Sequence, residues 1–268
     1  MHLLNKAIGM KIPYYHIDAF TSEPFHGNPA GVCPLQEWLP DETLQKIAYE
    51  NNHAETAFVV VREGFFDLRW FTPTIEVDLC GHATLAAGYV IFKYLEFSGQ
   101  VIQFQSKSGL LTVEREGELL ILDFPSRPPT PCETPEALVK GLGRVPLEVR
   151  RSRDYFSVFE SQSDILNIKP NMEWLNQLDC LGIIVTAPGD KVDFVSRFFA
   201  PKAGIPEDPV TGSAHSSLIP YWAERLGRRK LISLQLSPRG GELSCEEAGG
   251  RVKIGGKAVT YLRGNIEL

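Results

Sequence analysis

Short runs in which β-branched and aromatic residues alternate with polar ones dominate the first half of the chain. They fall at Tyr14 to Asp18, Thr56 to Val61, Phe65 to Phe71, Val101 to Ser106, Leu110 to Glu114 and Leu119 to Phe124. Runs of this length and period predict strands. Glu63-Gly64 and Glu116-Gly117 stand between two pairs of them, where a hairpin needs its turn. The expectation is a mostly antiparallel sheet, interrupted twice. Between Asp41 and Asn52, the residues Leu44, Ile47 and Ala48 share one face of a helix. Thr84 to Tyr94 is apolar almost all round, which predicts a helix buried in the middle of the sheet rather than lying on its surface.

Five prolines between Pro125 and Pro135 end every regular pattern and mark a junction. The expected halves are residues 1–127 and 128–268, with the extreme C-terminus a candidate to complete the first. The second half repeats the recipe, with strands at Tyr155 to Phe159, Leu181 to Thr186, Val192 to Phe199 and Leu231 to Leu236. A helix spans Gly212 to Leu226 and contains Pro220, which must bend it or cost it a hydrogen bond. Arg69-Trp70-Phe71-Thr72-Pro73 matches Arg197-Phe198-Phe199-Ala200-Pro201 at an offset of 197 minus 69, or 128 positions. Beyond each copy a glycine opens a helix: Gly81-His82-Ala83-Thr84 in the first half and Gly212-Ser213-Ala214-His215 in the second. A duplicated domain with a pseudo-two-fold axis leaves this signature.

At 268 residues, 43% hydrophobic and 22% charged, the chain has the composition of a soluble globular protein. A formal charge of -6 argues against nucleic acid as a partner, since there is no basic stripe to release phosphate counterions. No apolar run reaches the length of a membrane span, and the first thirteen residues are too interrupted for a signal-peptide core. The five cysteines are scattered and never spaced Cys-x-x-Cys, which suits a reducing, cytoplasmic location. Neither a metal-ligand spacing nor a Gly-x-Gly-x-x-Gly or P-loop pattern is present, so no metal or nucleotide cofactor is expected.

Glycine at a helix mouth lets a ligand approach backbone N–H groups that have no intrahelical partner. Two such mouths facing one cleft would hold a carboxylate without help from lysine or arginine. A small carboxylate-bearing substrate is therefore the expected partner. Taken singly, either glycine reads equally well as a tight turn, and the paired occurrence carries the inference. Three ionisable residues adjoin these elements. Glu55 opens a strand after a helix end; facing the cleft, it would have a raised pKa and could carry a proton at neutral pH. His82 follows Gly81 and, if not merely structural, offers a neutral imidazole as hydrogen-bond donor. Asp208 precedes Pro209 and reads alternatively as a turn residue.

With these residues the chain resembles the phenazine biosynthesis PhzF-like isomerase family, a branch of the diaminopimelate epimerase fold. The resemblance runs along essentially the whole chain. It rests on Asp18-Ala19-Phe20-Thr21, Gly27-Asn28-Pro29-Ala30-Gly31-Val32, Glu55-Thr56-Ala57-Phe58, Cys80-Gly81-His82-Ala83-Thr84 and Asp208-Pro209-Val210-Thr211-Gly212-Ser213-Ala214-His215. It implies an α+β fold of two similar domains, each a barrel-like sheet around a central helix, assembled as a homodimer. It also implies cofactor-independent movement of a proton between carbons of a small, for instance cyclohexadienyl, carboxylate. Glu55 would be the acid/base, His82 and Asp208 would orient polar substrate groups, and Asn28, Gly81, Thr211, Gly212 and Ser213 would bind substrate. Ala54 departs from the serine that many members carry there, so that hydroxyl contact is missing. Related racemases put one cysteine at each mouth; here Cys80 stands at the first and Asp208 near the second. The alternatives are an epimerase using Cys80 with Asp208 or Glu55, and a non-catalytic binding protein on the same fold.

Overall fold

The structure, a computed structural model, describes residues 9–268. Residues 1–8 of the segment judged too interrupted for a leader lie outside the described residues. The first half runs β1 (Lys11–Ala19), β2 (Asn28–Leu35), α1 (Asp41–Asn51), β3 (Glu55–Val61), β4 (Phe66–Phe71), β5 (Glu76–Val77), α2 (Gly81–Tyr94), β6 (Val101–Ser106), β7 (Gly109–Glu116) and β8 (Leu119–Pro125). The second begins with β9 (Thr130–Pro131), α3 (Glu136–Leu142), β10 (Glu148–Arg151), β11 (Tyr155–Val158), α4 (Gln162–Asn167) and α5 (Met172–Leu175). It continues with β12 (Ile183–Pro188), β13 (Phe194–Phe199), α6 (Gly212–Leu226), β14 (Lys230–Gln235), β15 (Gly241–Glu247), β16 (Arg251–Gly256) and β17 (Ala258–Glu267). No helix among the described residues is long and apolar enough to cross a membrane.

Hydrogen-bonded neighbours form two ladders of the same order. One reads β17-β1-β2-β3-β4-β6-β7-β8. The other reads β9-β10-β11-β12-β13-β14-β15-β16, and antiparallel pairing of β8 with β16 joins them. The first half is mostly antiparallel, as expected, with two parallel pairs, β2–β3 and β4–β6. The cause is connectivity: a hairpin can join only antiparallel neighbours, whereas α1 and α2 are crossovers that return the chain in the same direction. The second half has its parallel pairs at the matching places, β11–β12 and β13–β14. The two turns predicted from Glu63-Gly64 and Glu116-Gly117 join antiparallel pairs. Their glycines take φ of +83° and +62°, a region that side chains with a β-carbon avoid. The last strand leaves its own ladder, since β17 follows β16 in sequence but pairs with β1.

The all-round apolar pattern predicted for the first central helix is explained by its surroundings. Leu85, Ala86, Val90 and Ile91 of α2 share one core with Leu218, Ile219 and Trp222 of α6, with Phe20 just past β1, and with Phe124 and Ile254 of the sheets. Helix α1 covers a smaller cluster built on Leu44, Ile47, Phe58 and Phe71, and α3 to α5 cover another around Leu138, Ile165 and Leu175. Pro220 has no N–H to give to the carbonyl one turn back. That carbonyl, Ser216, accepts from the backbone N–H of Arg127 at 2.8 Å, and Ser217 Oγ donates to the Arg127 carbonyl at 2.8 Å. The proline-rich junction is thereby docked on the group that the proline releases.

Candidate active site

The two glycine-led helix mouths meet. A β-carbon at Gly81 would lie 3.6 Å from the Gly212 Cα and 3.3 Å from the Phe124 ring, so only glycine permits this approach unstrained at the first mouth. Between them opens a cleft of about 830 Å³ lined by Glu55, Cys80 and His82 on one side and by Asp208, Thr211 and Ser213 on the other. Neither helix has a side-chain N-cap hydrogen bond or an acidic residue in its first turn. Their leading N–H groups are thus uncompensated donors, the arrangement that attracts an anion.

Glu55 opens β3 three residues after the left-handed residue Asn52, φ 50°, that caps α1. Burial, and then the charge of Asp208, push its carboxyl up to about 7, while the neighbouring Cys80 thiol opposes the shift. His82 Nε2 lies 3.2 Å from Glu55 Oε2. Burial chiefly, with the charge of His53 second, lowers the imidazole to about 3. The ring is therefore neutral near pH 7, and the contact is a polar one, not an ion pair. Burial is what keeps this imidazole neutral. Asp208 is raised to about 6 by burial, against hydrogen bonds from Thr211 and Asn28.

Asn28 needs correction as a substrate contact. It is fully buried and stands behind the cleft wall with its Nδ2 donating to Asp208 Oδ1 and the Val210 carbonyl, each at 2.9 Å. Thr211 is similarly committed, its hydroxyl donating to Asp208 Oδ2 and its N–H to Gln235 Oε1 at 2.8 Å. Gln235, buried and unannounced by any motif, also donates to the Asp208 carbonyl at 2.7 Å. Gly81, Gly212 and Ser213 do face the cleft. The expectation that an anion would need no arginine also changes, because Arg153 and Lys202 line the cleft and Arg153 Nη2 donates to Ser213 Oγ at 3.3 Å. Asp154, whose other oxygen accepts from Gly182 N at 3.1 Å, holds that guanidinium. The acidic overall charge concealed this local cation.

Folding also gathers Glu55, Cys80 and His82 so that one ligand-type atom of each lies within 4.8 Å of the others, which sequence spacing did not foreshadow. Yet His82 turns Nε2 toward Glu55 and Nδ1 toward Cys80, 3.5 Å away. The carboxylate and the thiol thus approach different nitrogens of the ring. Cys80 is itself held well above its ordinary pKa by burial and by the Glu55 charge, which disfavours a thiolate.

Known proteins share this architecture. At the level of fold, a probable proline racemase from Agrobacterium radiobacter superposes with a TM-score of 0.63 at 10% identity over 95% of this chain and 92% of its own. This is the diaminopimelate epimerase-like α+β fold. Much nearer is the crystal structure of a PhzF-family phenazine biosynthesis protein from Enterococcus faecalis, with a TM-score of 0.95 and 47% identity over 97% of this chain and 100% of that one. An uncharacterized isomerase of Pseudomonas aeruginosa is 50% identical over 97% of this chain and 100% of its own length. Residues 17–264 match the family model described as phenazine biosynthesis-like protein. With motifs, fold and full-length similarity in agreement, the chain belongs to the phenazine biosynthesis-like (PhzF) family of isomerases.

Proposed function

We propose that the cleft is the active site of a cofactor-independent isomerase in which Glu55 moves a proton between two carbons of a small carboxylate-bearing substrate. The observation that carries this reading is the Glu55 carboxyl, buried at the junction of the two helix mouths and raised to about 7. A carboxyl with a pKa near the working pH is present in both forms, so it can take a proton from one carbon and return it to another. The electron pair freed by the first step becomes a double bond at the carbon that lost the proton, the pair of the old double bond takes up the proton at the receiving carbon, and neither oxidant nor metal enters the balance. His82 donates to a polar substrate group through Nε2 and Asp208 accepts from another. The leading N–H groups of α2 and α6, with Ser213 and Arg153, receive the carboxylate. The five free cysteines support a cytoplasmic location, and the family resemblance supports a homodimer.

The test is Glu55→Gln, which keeps shape but cannot accept the proton. Turnover of a substrate found among cyclohexadienyl and other small carboxylates should fall by about a hundredfold to ten-thousandfold, with binding of the carboxylate little changed. In deuterated water the wild-type product should keep part of the migrating hydrogen. Near-normal turnover by the variant removes Glu55 from the mechanism.

A further inference from the structure

Asn28 opens β2 and has no exposed surface. Three acceptors surround its side-chain nitrogen: Asp208 Oδ1 and the Val210 carbonyl at 2.9 Å each, and His82 Nδ1 at 3.2 Å. Two come from the second half of the chain and one from the first, and all belong to or adjoin the mouths. A primary amide nitrogen only donates, so the orientation of this amide is decided. Turned over, it would set its oxygen against the Val210 carbonyl and the Asp208 carboxylate. Among the described residues Asn28 Oδ1 has no partner, an unsatisfied acceptor that the three contacts on the nitrogen hold in place.

The same contacts settle the imidazole. His82 Nδ1 lies 3.2 Å from the Asn28 amide nitrogen, and 3.5 Å from the sulfur of Cys80, whose single hydrogen serves Glu55. The amide nitrogen cannot accept a hydrogen from Nδ1, so the neutral ring carries it on Nε2, which has no hydrogen-bonded partner among the described residues and points toward the Glu55 side of the cleft. The backbone in front of Asn28 is equally fixed. Arg239 of the second half donates from Nε to the Gly27 carbonyl at 2.8 Å and from Nη2 to Asp18 Oδ1 at 2.7 Å. Gly27 itself, at φ +66°, leaves no space for a β-carbon, which would fall 2.1 Å from the Ala19 carbonyl oxygen.

We infer that Asn28 is a positioning residue that fixes the tautomer of His82 and the orientation of the Asp208 carboxylate across the seam between the two halves. The inference rests on the reading of the cleft as an active site. Its chemical consequence is that His82 serves substrate as a donor through Nε2 and leaves proton abstraction to Glu55.

The tautomer can be read without a substrate. In the full-length protein labelled with ¹⁵N-histidine, the His82 signals, identified by their loss in His82→Gln, should show a bare Nδ1 and a protonated Nε2 across neutral pH. Asn28→Ala should give averaged shifts from a mixture of tautomers and lower turnover about a hundredfold, the scale of a misplaced catalytic group. A hydrogen found on Nδ1 in the wild type overturns the proposal before any variant is made. So does an Asn28→Ala protein with unchanged His82 shifts. Failure of the Glu55 reading would instead appear as retained turnover in Glu55→Gln, with the wild-type tautomer unaffected.

Discussion

Arg69 and Arg197 stand 128 positions apart and do the same thing in their two halves. Arg69 grips Glu76 through Nε and Nη2 at 2.7 and 2.9 Å, and Arg197 grips Glu207 in the same way at 2.7 and 3.0 Å. Each fork ties a strand to the segment that leads into a helix mouth, and each lies over a phenylalanine two residues on, Phe71 or Phe199. The chemistry is not repeated. Shifting Glu55 by the same 128 positions lands on Ile183, the first residue of β12, and His82 at the first mouth is matched by Ser213 at the second. The histidine of α6, His215, is spent on structure: Nδ1 lies 2.9 Å from the Thr211 carbonyl and Nε2 lies 3.1 Å from Ser233 Oγ. Duplication of a scaffold therefore does not duplicate a site. The first mouth carries Glu55 and His82, whereas the second carries Asp208, a buried carboxyl raised less far, to about 6.

The scaffold side of this comparison predicts the largest stability losses. Arg197→Met should destabilise by about 3–5 kcal/mol, the cost of stranding one member of a buried pair. It would leave the Ile165 and Ile168 carbonyls as well as Glu207 without their donor. Arg69→Met should cost less, about 1.5–3 kcal/mol for hydrogen bonds to a charged group, because Glu76 keeps Lys107. Urea denaturation of the two variants measures both. Equal losses would mean that the two forks are not graded by their surroundings as described.

The chemical side predicts a pH effect. Glu55 titrates at about 7 when folded against an ordinary 4.5, so between those values the folded state binds more protons than the unfolded one. Its contribution is whole below pH 4.5 and is lost as the pH rises through 7, about 3 kcal/mol at the usual conversion. Glu55→Gln, which never ionises, should match the wild type near pH 4.5 and exceed it by up to that amount at pH 8 in thermal melts. His82 and His215 act with the opposite sign. Lowered to about 3 and about 4 from 6.5, they add stability above pH 6.5 that is lost on acidification. A Glu55→Gln protein that gains nothing at pH 8 would show that Glu55 ionises at its ordinary pH, and the contrast with Ile183 would lose its chemical meaning.

The smallest effect distinguishes the mouths themselves. Gly81→Ala presses on Phe124 at 3.3 Å, whereas a β-carbon at Gly212 meets nothing nearer than 3.8 Å. The first should cost about 1 kcal/mol, at the low end for overpacking, and the second should be close to neutral. Sulfate should raise the melting temperature of the wild type through the paired N–H groups, and EDTA should leave that rise intact. A rise abolished by EDTA would assign Glu55, Cys80 and His82 to a metal instead.

Local patterns were enough for much of the frame. Helix α6 runs from Gly212 to Leu226 as its apolar spacing requires, and α1 ends one residue before the predicted limit, at Asn51. Helices α3, α4 and α5, of 7, 6 and 4 residues, are too short to show a helical period, although the Ser161 and Asp164 capping box of α4 was readable. Glu55, His82 and the two glycines were also legible, because each sits at the start of a strand or helix whose pattern is local. What the chain order alone could not decide is contact between distant positions. Asn28 meets Asp208 across 180 residues, Arg153 reaches Ser213 across 60, and β17 crosses to β1. Periodicity records which face of an element is buried, whereas the partner that buries it is chosen by packing. Only the assembled fold could therefore turn Asn28 from a substrate contact into a brace, expose a local cation in an acidic protein and give Glu55 the burial that sets its pKa.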